Sequence, residues 1–385
     1  MDNQNQSLIR LSKAFVGPEE LRQVEKVLYE TVNFGLGVHV QEFEEKLKHF
    51  LQTDHEVIAV NTGTSALHAA LVALNAPMNS EVLVPSITFV ASYSAISAAG
   101  MQPVSCEVLN PSCHIDPRDA EHRITNRTVA IMPVAYAGVD FDRDAIYRLA
   151  KKHNLRVIED DAHAFGSKTV PGDMIGSVGD IICFSFDGIK NITCGEGGAV
   201  LTNDQDLARK IRVLRSLGIE KDVDLRYKGQ RAWEYDVASQ GFRYHMSNIN
   251  AAIGVAQLER FPKVVARKRE LWRYYEQGLS NHSLNAFLTP TQSFNERSCI
   301  HIFSCLLSKE ISRNNLREHL KSEKIESGFH YVPNHTHTMY KSTYALPTAE
   351  DLGSRLLSLP FHAGITERDI DRILSSIADF INRDK

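Results

Sequence analysis

From Glu81 onward the chain alternates strand-like and helix-like blocks: EVLVP, ITFVASYSAISAAG, QPVSCEV, TVAIMPV, AIYRLAKKHN and LRVIED. Strands separated by helices of this length need crossover connections, so the pattern predicts βαβ units and an α/β fold with a mostly parallel sheet flanked by helices. In such a sheet, ligands bind at the carboxyl ends of the strands. The stretch 156–203 loads that edge most heavily. Val157 and Ile158 read as the end of a buried strand that delivers Glu159, Asp160 and Asp161. A second strand, 181–186, ends just before Asp187 and Lys190, and Gly195, Gly197 and Gly198 follow. An acid and a lysine therefore reach neighbouring strand ends.

The length of 385 residues exceeds what one core usually organises, and two domains are expected: a large one over 1–260 and a smaller α+β one over 261–385. With 43 Lys+Arg against 47 Asp+Glu, a formal charge of −4 and no run of like charges, nucleic acid is not an implied partner. The six cysteines are scattered without paired metal spacing, which predicts reduced thiols and no disulfide. The N-terminal segment lacks the apolar core of a signal peptide, and no stretch approaches the roughly 18 apolar residues of a membrane span. A soluble, cytoplasmic protein is expected.

Around this centre, apolar spacing predicts helices over 18–29 and 40–51, separated by a glycine turn that carries Phe34. A short strand, 56–60, leads to Gly63-Thr64-Ser65 and a helix over 66–74. Such a turn aims backbone N–H groups, hydroxyls and the helix dipole at one point, which suits a phosphate, although Thr and Ser also serve as plain N-caps. Phe89, beside a strand end, fits either a core position or a ring-stacking one. A helix is expected over 204–217. The polar segment 218–239 carries Arg226, Lys228, Arg231, Trp233 and Tyr235, and reads as a cover over an anionic ligand, a partner contact or a solvated loop. Small residues over 250–258 permit close helix packing, and a basic helix over 264–279 is expected to cross into the smaller domain. Beyond it come a strand at 301–307, a helix at 315–323, a loop with His330, His335 and His337, and a final helix at 367–381. His335 and His337 share a face only in a strand, and no further ligand stands near them in sequence, so no metal site is expected.

An acid and a lysine at strand ends, a phosphate cradle and a nearby aromatic are what pyridoxal 5′-phosphate requires. An ordinary salt bridge between Lys190 and Asp160 is the plain alternative. VIEDDAHAFG followed by GDIICFSFDGIKNITCGEGGAVLTND closely resembles the DegT/DnrJ/EryC1/StrS family of sugar aminotransferases. The likeness continues in GTSAL (63–67), PSITFVA (85–91), GFRYHMSNINAAIGVAQL (241–258), HYVPNH (330–335) and LPFH (359–362). The resemblance implies an aspartate aminotransferase-like fold, a homodimer with shared active sites, and pyridoxal phosphate as cofactor. It implies amino transfer, with L-glutamate as donor, onto a dTDP-, UDP- or GDP-linked 6-deoxy keto hexose, 4-keto rather than 3-keto, for amino-sugar and lipopolysaccharide O-antigen biosynthesis.

Carried over by position, Lys190 resembles the lysine that bonds the cofactor aldehyde, Asp160 the partner of its ring nitrogen and His163 the residue near its phenolic oxygen. Gly63, Thr64, Ser65 and Ser185 match the phosphate contacts, and Phe89 the stacking aromatic. Arg243 stands where many members carry an asparagine that reaches the partner subunit's cofactor phosphate, His245 replaces a frequent arginine, and Ala135 a frequent histidine. Phe34, Arg231, His330, Tyr331 and His335 are the expected substrate contacts. Rival readings are a sugar dehydratase, which in this family carries histidine in place of Lys190, a non-catalytic nucleotide-sugar-binding protein of the same fold, and a metal-dependent hydrolase built on His335 and His337.

Overall fold

A computed structural model describes residues 7–31, 33–220 and 233–383. Seven strands form the main sheet: β1 (Glu56–Val60), β2 (Glu81–Pro85), β3 (Gln102–Cys106), β4 (Thr128–Ile131), β5 (Arg156–Asp160), β6 (Ile181–Ser185) and β7 (Gly198–Thr202). Their order is β1-β7-β6-β5-β4-β2-β3, with parallel pairing from β3 through β6 and antiparallel pairing of β7 with both neighbours. Every residue of β2, β6 and β7 is buried, as expected for a sheet covered on both faces. On one face α2 (Val38–Leu51) contributes Phe43 and Leu47 to a core with Phe165, Phe184 and Phe261. On the other, α3 (Gly63–Ala73), α4 (Val90–Ala98) and α7 (Gln205–Leu214) pack through Leu67, Leu71, Ile96 and Ile211.

The first helix, α1 (Pro18–Glu30), and most other elements fall close to where apolar spacing puts them. Several features differ, among them strands at Leu288–Pro290 and Leu356–Leu359 and a helix at Pro347–Arg355, which were not expected. β7 is a full strand inserted between β1 and β6, where no strand was expected after the glycine cluster. A short helix, α5 (Pro117–His122), was not expected; Asp116 caps it by accepting from Arg118 N. The two helices expected over 250–258 and 264–279 are one, α8 (Asn248–Asn281), 34 residues long with Pro262 inside it. The expected boundary at 260/261 falls within this helix. Between α5 and α7 lies α6 (Arg143–His153).

The C-terminal region carries a three-stranded antiparallel sheet, β10 (Leu356–Leu359), β9 (Phe303–Leu307) and β8 (Leu288–Pro290), with α9 (Arg313–Ser322), α10 (Pro347–Arg355) and α11 (Glu367–Arg383). Its core joins Trp272 and Tyr275 of α8 to Phe303, Leu316, Ile370 and Ile373, and Ile9 from the start of the chain enters it through a bridge to Ile325. The six cysteines are free and buried. Among the described residues no helix is long and apolar enough to cross a membrane.

Candidate active site

The carboxyl ends of β5 and β6 and the start of α3 surround a cavity of about 440 Å³. Gly63, Thr64, Phe89, Asp160, His163, Ser185, Lys190, His330 and Tyr331, drawn from five separate stretches of sequence, all line it. The apolar run Val157-Ile158 is buried in β5, and the strand's end sets Asp160 at the cavity floor, 5% exposed. Ser92 Oγ donates to Asp160 Oδ2 at 2.7 Å, and Ala162 N to Oδ1 at 3.3 Å. Burial raises the Asp160 carboxyl above its ordinary range, against the pull of these donors and of Lys190. The next residue, Asp161, turns the other way: it is fully buried, 3.6 Å from Arg143.

Lys190 belongs to the loop between β6 and β7, where its N–H donates to Asp187 O at 3.0 Å and Ile189 N to Asp187 Oδ2 at 3.2 Å. Lys190 lines the cavity, where the surrounding protein shields its ammonium from water. Burial lowers it to about 8, with Asp160 and Asp187 opposing. A lysine so placed is partly the neutral amine near neutral pH, the form that attacks carbonyls and accepts protons.

His163 is 5% exposed; its Nε2 lies 3.1 Å from the Tyr331 hydroxyl and its ring 4.6 Å from that of His301. Burial, then the charges of Lys190, His330 and Lys268, hold it well below the ordinary histidine range, so the ring is neutral. Its Nδ1 is buried with no hydrogen-bond partner.

The turn before α3 is built for close approach. Thr62 caps the helix by accepting from Ser65 N at 3.0 Å. A Cβ on Gly63 would stand 2.6 Å from the Ser185 Cβ, so only glycine lets the turn lie against the end of β6. The amides of Gly63 and Thr64 fall in the first turn of the helix, where no intrahelical acceptor exists, beside the Ser185 hydroxyl. This is a donor set suited to a phosphate. Ser65 does not join it: its hydroxyl donates to Asn61 Oδ1 at 2.7 Å inside the cap, and it does not line the cavity. Phe89 is 52% exposed, which makes it a wall of the cavity rather than a core residue, and it faces Tyr331 with ring centroids 5.6 Å apart.

The remaining expected contacts lie elsewhere. Phe34 is exposed on its turn, away from the cavity lining. Arg243 is exposed on a short bridge to Ser216, also outside the lining. His335 is buried, its Nδ1 2.6 Å from Ser86 Oγ and its Nε2 3.2 Å from Glu350. Arg231, with Arg226 and Lys228, lies outside the described residues. Among the described residues no group of three or more His, Cys, Asp or Glu is arranged to hold a metal ion. Sequence reading missed Ser92, which holds Asp160 from a helix 68 positions away; no motif or spacing signals it. It also left out Asp187 and Glu196 as lining residues.

Burial depresses His330, at the cavity wall, and His114 to about 4 each. Both imidazoles are neutral in the fold and protonate more readily once unfolded. Their contribution is complete above about pH 6.5 and is lost as pH falls toward 4, about 3 kcal/mol for the buried His114 ring and less for His330 at the cavity wall. The melting temperature of the cofactor-free protein is expected to fall steeply over that interval. A flat profile from pH 6.5 to 4.5 would count against this account.

Residues 16–378 match the DegT/DnrJ/EryC1/StrS aminotransferase family. The chain belongs to that family. An uncharacterized protein, MJ1066, of Methanocaldococcus jannaschii is 32% identical over 378 residues, covering 96% of this chain and 97% of its own. Helicobacter pylori PseC, an aminotransferase involved in the biosynthesis of pseudoaminic acid, superposes with a TM-score of 0.90 at 28% identity, covering 98% of this chain and all of that one. DesI, solved in the presence of its TDP-sugar product, superposes at 0.87 with 26% identity, covering 98% and 94%. These likenesses bear out the aspartate aminotransferase-like fold, and the protein is a pyridoxal phosphate-dependent aminotransferase. The cavity fits that cofactor, with a lysine, a buried carboxylate, an exposed aromatic face and a phosphate-sized cradle at a helix start.

Proposed function

We propose that the protein transfers an amino group from L-glutamate to the keto group of a nucleotide-linked 6-deoxy hexose, 4-keto in preference to 3-keto. The setting is cytoplasmic synthesis of amino sugars for O-antigen-type glycans, by a homodimer. The observation that carries the reading is the convergence of Lys190 and Asp160 on one cavity whose far end is the Gly63-Thr64-Ser185 cradle. The solved likeness of DesI with its TDP-sugar product supports a sugar nucleotide as the second substrate.

When bound, pyridoxal phosphate supplies an aldehyde that takes up the amino group and a ring that withdraws electrons from the reacting carbon. The chain supplies the rest. Lys190 Nζ would accept the proton from the donor's Cα and give it up again later in the transfer, a task suited to an amine held near 8. Asp160, fixed by Ser92 and the Ala162 amide, places a carboxylate where a protonated ring nitrogen needs one. The Gly63 and Thr64 amides and the Ser185 hydroxyl bind the phosphate, and Phe89 stacks on the ring. Neutral His163 sits beside Tyr331 as a hydrogen-bonding group without charge. Arg243 reaches the partner subunit's cofactor phosphate or the nucleotide diphosphate, as a planar charged fork would favour.

Retention of Lys190 weighs against deoxygenating dehydration. The test is to mix holoprotein with L-glutamate, follow the loss of the bound aldehyde's absorbance, then add dTDP-, UDP- and GDP-linked keto sugars and detect the amino sugar by mass spectrometry. Loss of the band with release of 2-oxoglutarate, followed by amination of a 4-keto substrate, is the expected result. If no amino acid bleaches the band, or no keto-sugar nucleotide is aminated, the reading is overturned.

A further inference from the structure

Lys268 is a buried charge that the chemistry above does not use. It projects inward from α8, is 6% exposed, and donates through Nζ to Asn191 Oδ1 at 2.7 Å. Burial lowers it to about 8, opposed by Cys299, and no carboxylate pairs with it among the described residues. Taking an ammonium out of water without a carboxylate is costly.

Asn191 immediately follows Lys190. Its Nδ2 donates to the carbonyls of Cys299 at 2.9 Å, Phe165 at 3.2 Å and His163 at 3.4 Å. An amide's oxygen and nitrogen can be interchanged by a flip, but an ammonium has donors only and must meet the oxygen. Lys268 therefore fixes the orientation of Asn191 and leaves its nitrogen facing the three carbonyls. One side chain thus links the Lys190 loop, the turn that carries His163, the segment that sets His301 against the His163 ring, and helix α8.

We propose that Asn191 and Lys268 are positioning residues: the donor-only cation locks the Asn191 amide, and the locked amide holds the Lys190 loop in register with the His163 turn. The proposal rests on Lys190 as the reacting amine. The other titratable groups near Lys268 are His163, His301, His362 and Cys299, with Arg269 close to Cys299. Burial, then the charge of Lys190 and more weakly that of Lys268, disfavour protonation of His163 and His301; burial, Lys13 and Lys268 do the same for His362.

Asn191→Asp discriminates between roles. It preserves volume and turns the contact with Lys268 into an ion pair while removing the three donor contacts to the carbonyls, so a purely structural role predicts a lowered melting temperature with normal turnover in the folded fraction. The positioning role predicts kcat lowered about 10²-fold with KM little changed, and an altered visible circular dichroism band of the bound cofactor. Lys268→Met, which removes the lock without adding a charge, is expected to give the same loss and the same altered band, and Lys268→Arg, another donor-only cation, a partial rescue. Parental turnover and an unaltered band in Asn191→Asp and Lys268→Met overturn the proposal. So does a loss of turnover no larger than the loss of folded protein in melts of the cofactor-free chain. Failure of the underlying reading is distinct, because Lys190→Ala would then retain the half-reaction whatever the Asn191 variants do.

Discussion

Lys190→Ala is expected to slow the L-glutamate half-reaction by at least about 10⁴-fold while leaving the chain folded and able to bind cofactor. Two functions disappear together, the attachment of the aldehyde and proton transfer at the donor's Cα, and proton transfer alone is worth about 10²–10⁴. Phosphate binding should survive, because its donors, the Gly63 and Thr64 amides and the Ser185 hydroxyl, belong to α3 and β6 rather than to the Lys190 loop. Lys190→Arg should not restore activity, since a guanidinium stays protonated and can neither attack an aldehyde nor accept a proton. Single-turnover absorbance with glutamate checks both variants. Bleaching at near the parental rate in Lys190→Ala would remove Lys190 from the chemistry.

Asp160→Asn is expected to lower turnover by about 10²–10³-fold, the scale for removing one preorganised electrostatic partner. The amide is isosteric and can still accept from Ser92, so the loss measures charge rather than shape. Stability should move the other way. Burial raises the Asp160 carboxyl, so its protonated form favours the fold and that contribution is lost as pH rises through the raised value. Without cofactor, Asp160→Asn should therefore melt at or above the parent at pH 8, and the difference should vanish at low pH. A variant that melts well below the parent at pH 8 while keeping its turnover would mean that Asp160 is a structural anchor.

Much of this site is legible in the sequence because motif and topology agree. β-branched runs ending in Asp160 and in Ser185 specify where two strands stop, and strand ends in a parallel sheet converge on one edge. The rest was not legible for two reasons. Ser65 and His335 were given ligand roles from the family resemblance, and in the structure their hydrogen bonds go to the α3 cap and to Ser86 and Glu350, tertiary contacts that no local pattern reveals. Ser92, Asn191 and Lys268 were passed over for the converse reason. Their partners lie 26 to 108 positions away, so nothing near them in sequence distinguishes them from ordinary helix and loop residues. The helical stretches read separately over 250–258 and 264–279 join through Pro262 into the single helix α8.

The placement of β7 has a consequence for how the protein is made. Among the described residues β1 is an edge strand whose one strand neighbour is β7, with Glu56 opposite Thr202 and Val60 opposite Gly198, and a single bridge joins Val60 to His245. During synthesis from the amino terminus, β1 and the cradle turn that follows it emerge long before the strand that fixes them. A Cβ on Gly198 would lie 2.4 Å from the Thr62 carbonyl, so the same late strand also presses directly on that turn. The ordering cost of so distant a closure is met before its contacts form. The nascent chain therefore carries an unpaired apolar strand, EVIAV, for most of the time the large sheet is being translated. That interval is when the chain is most exposed to misassembly and most dependent on being shielded.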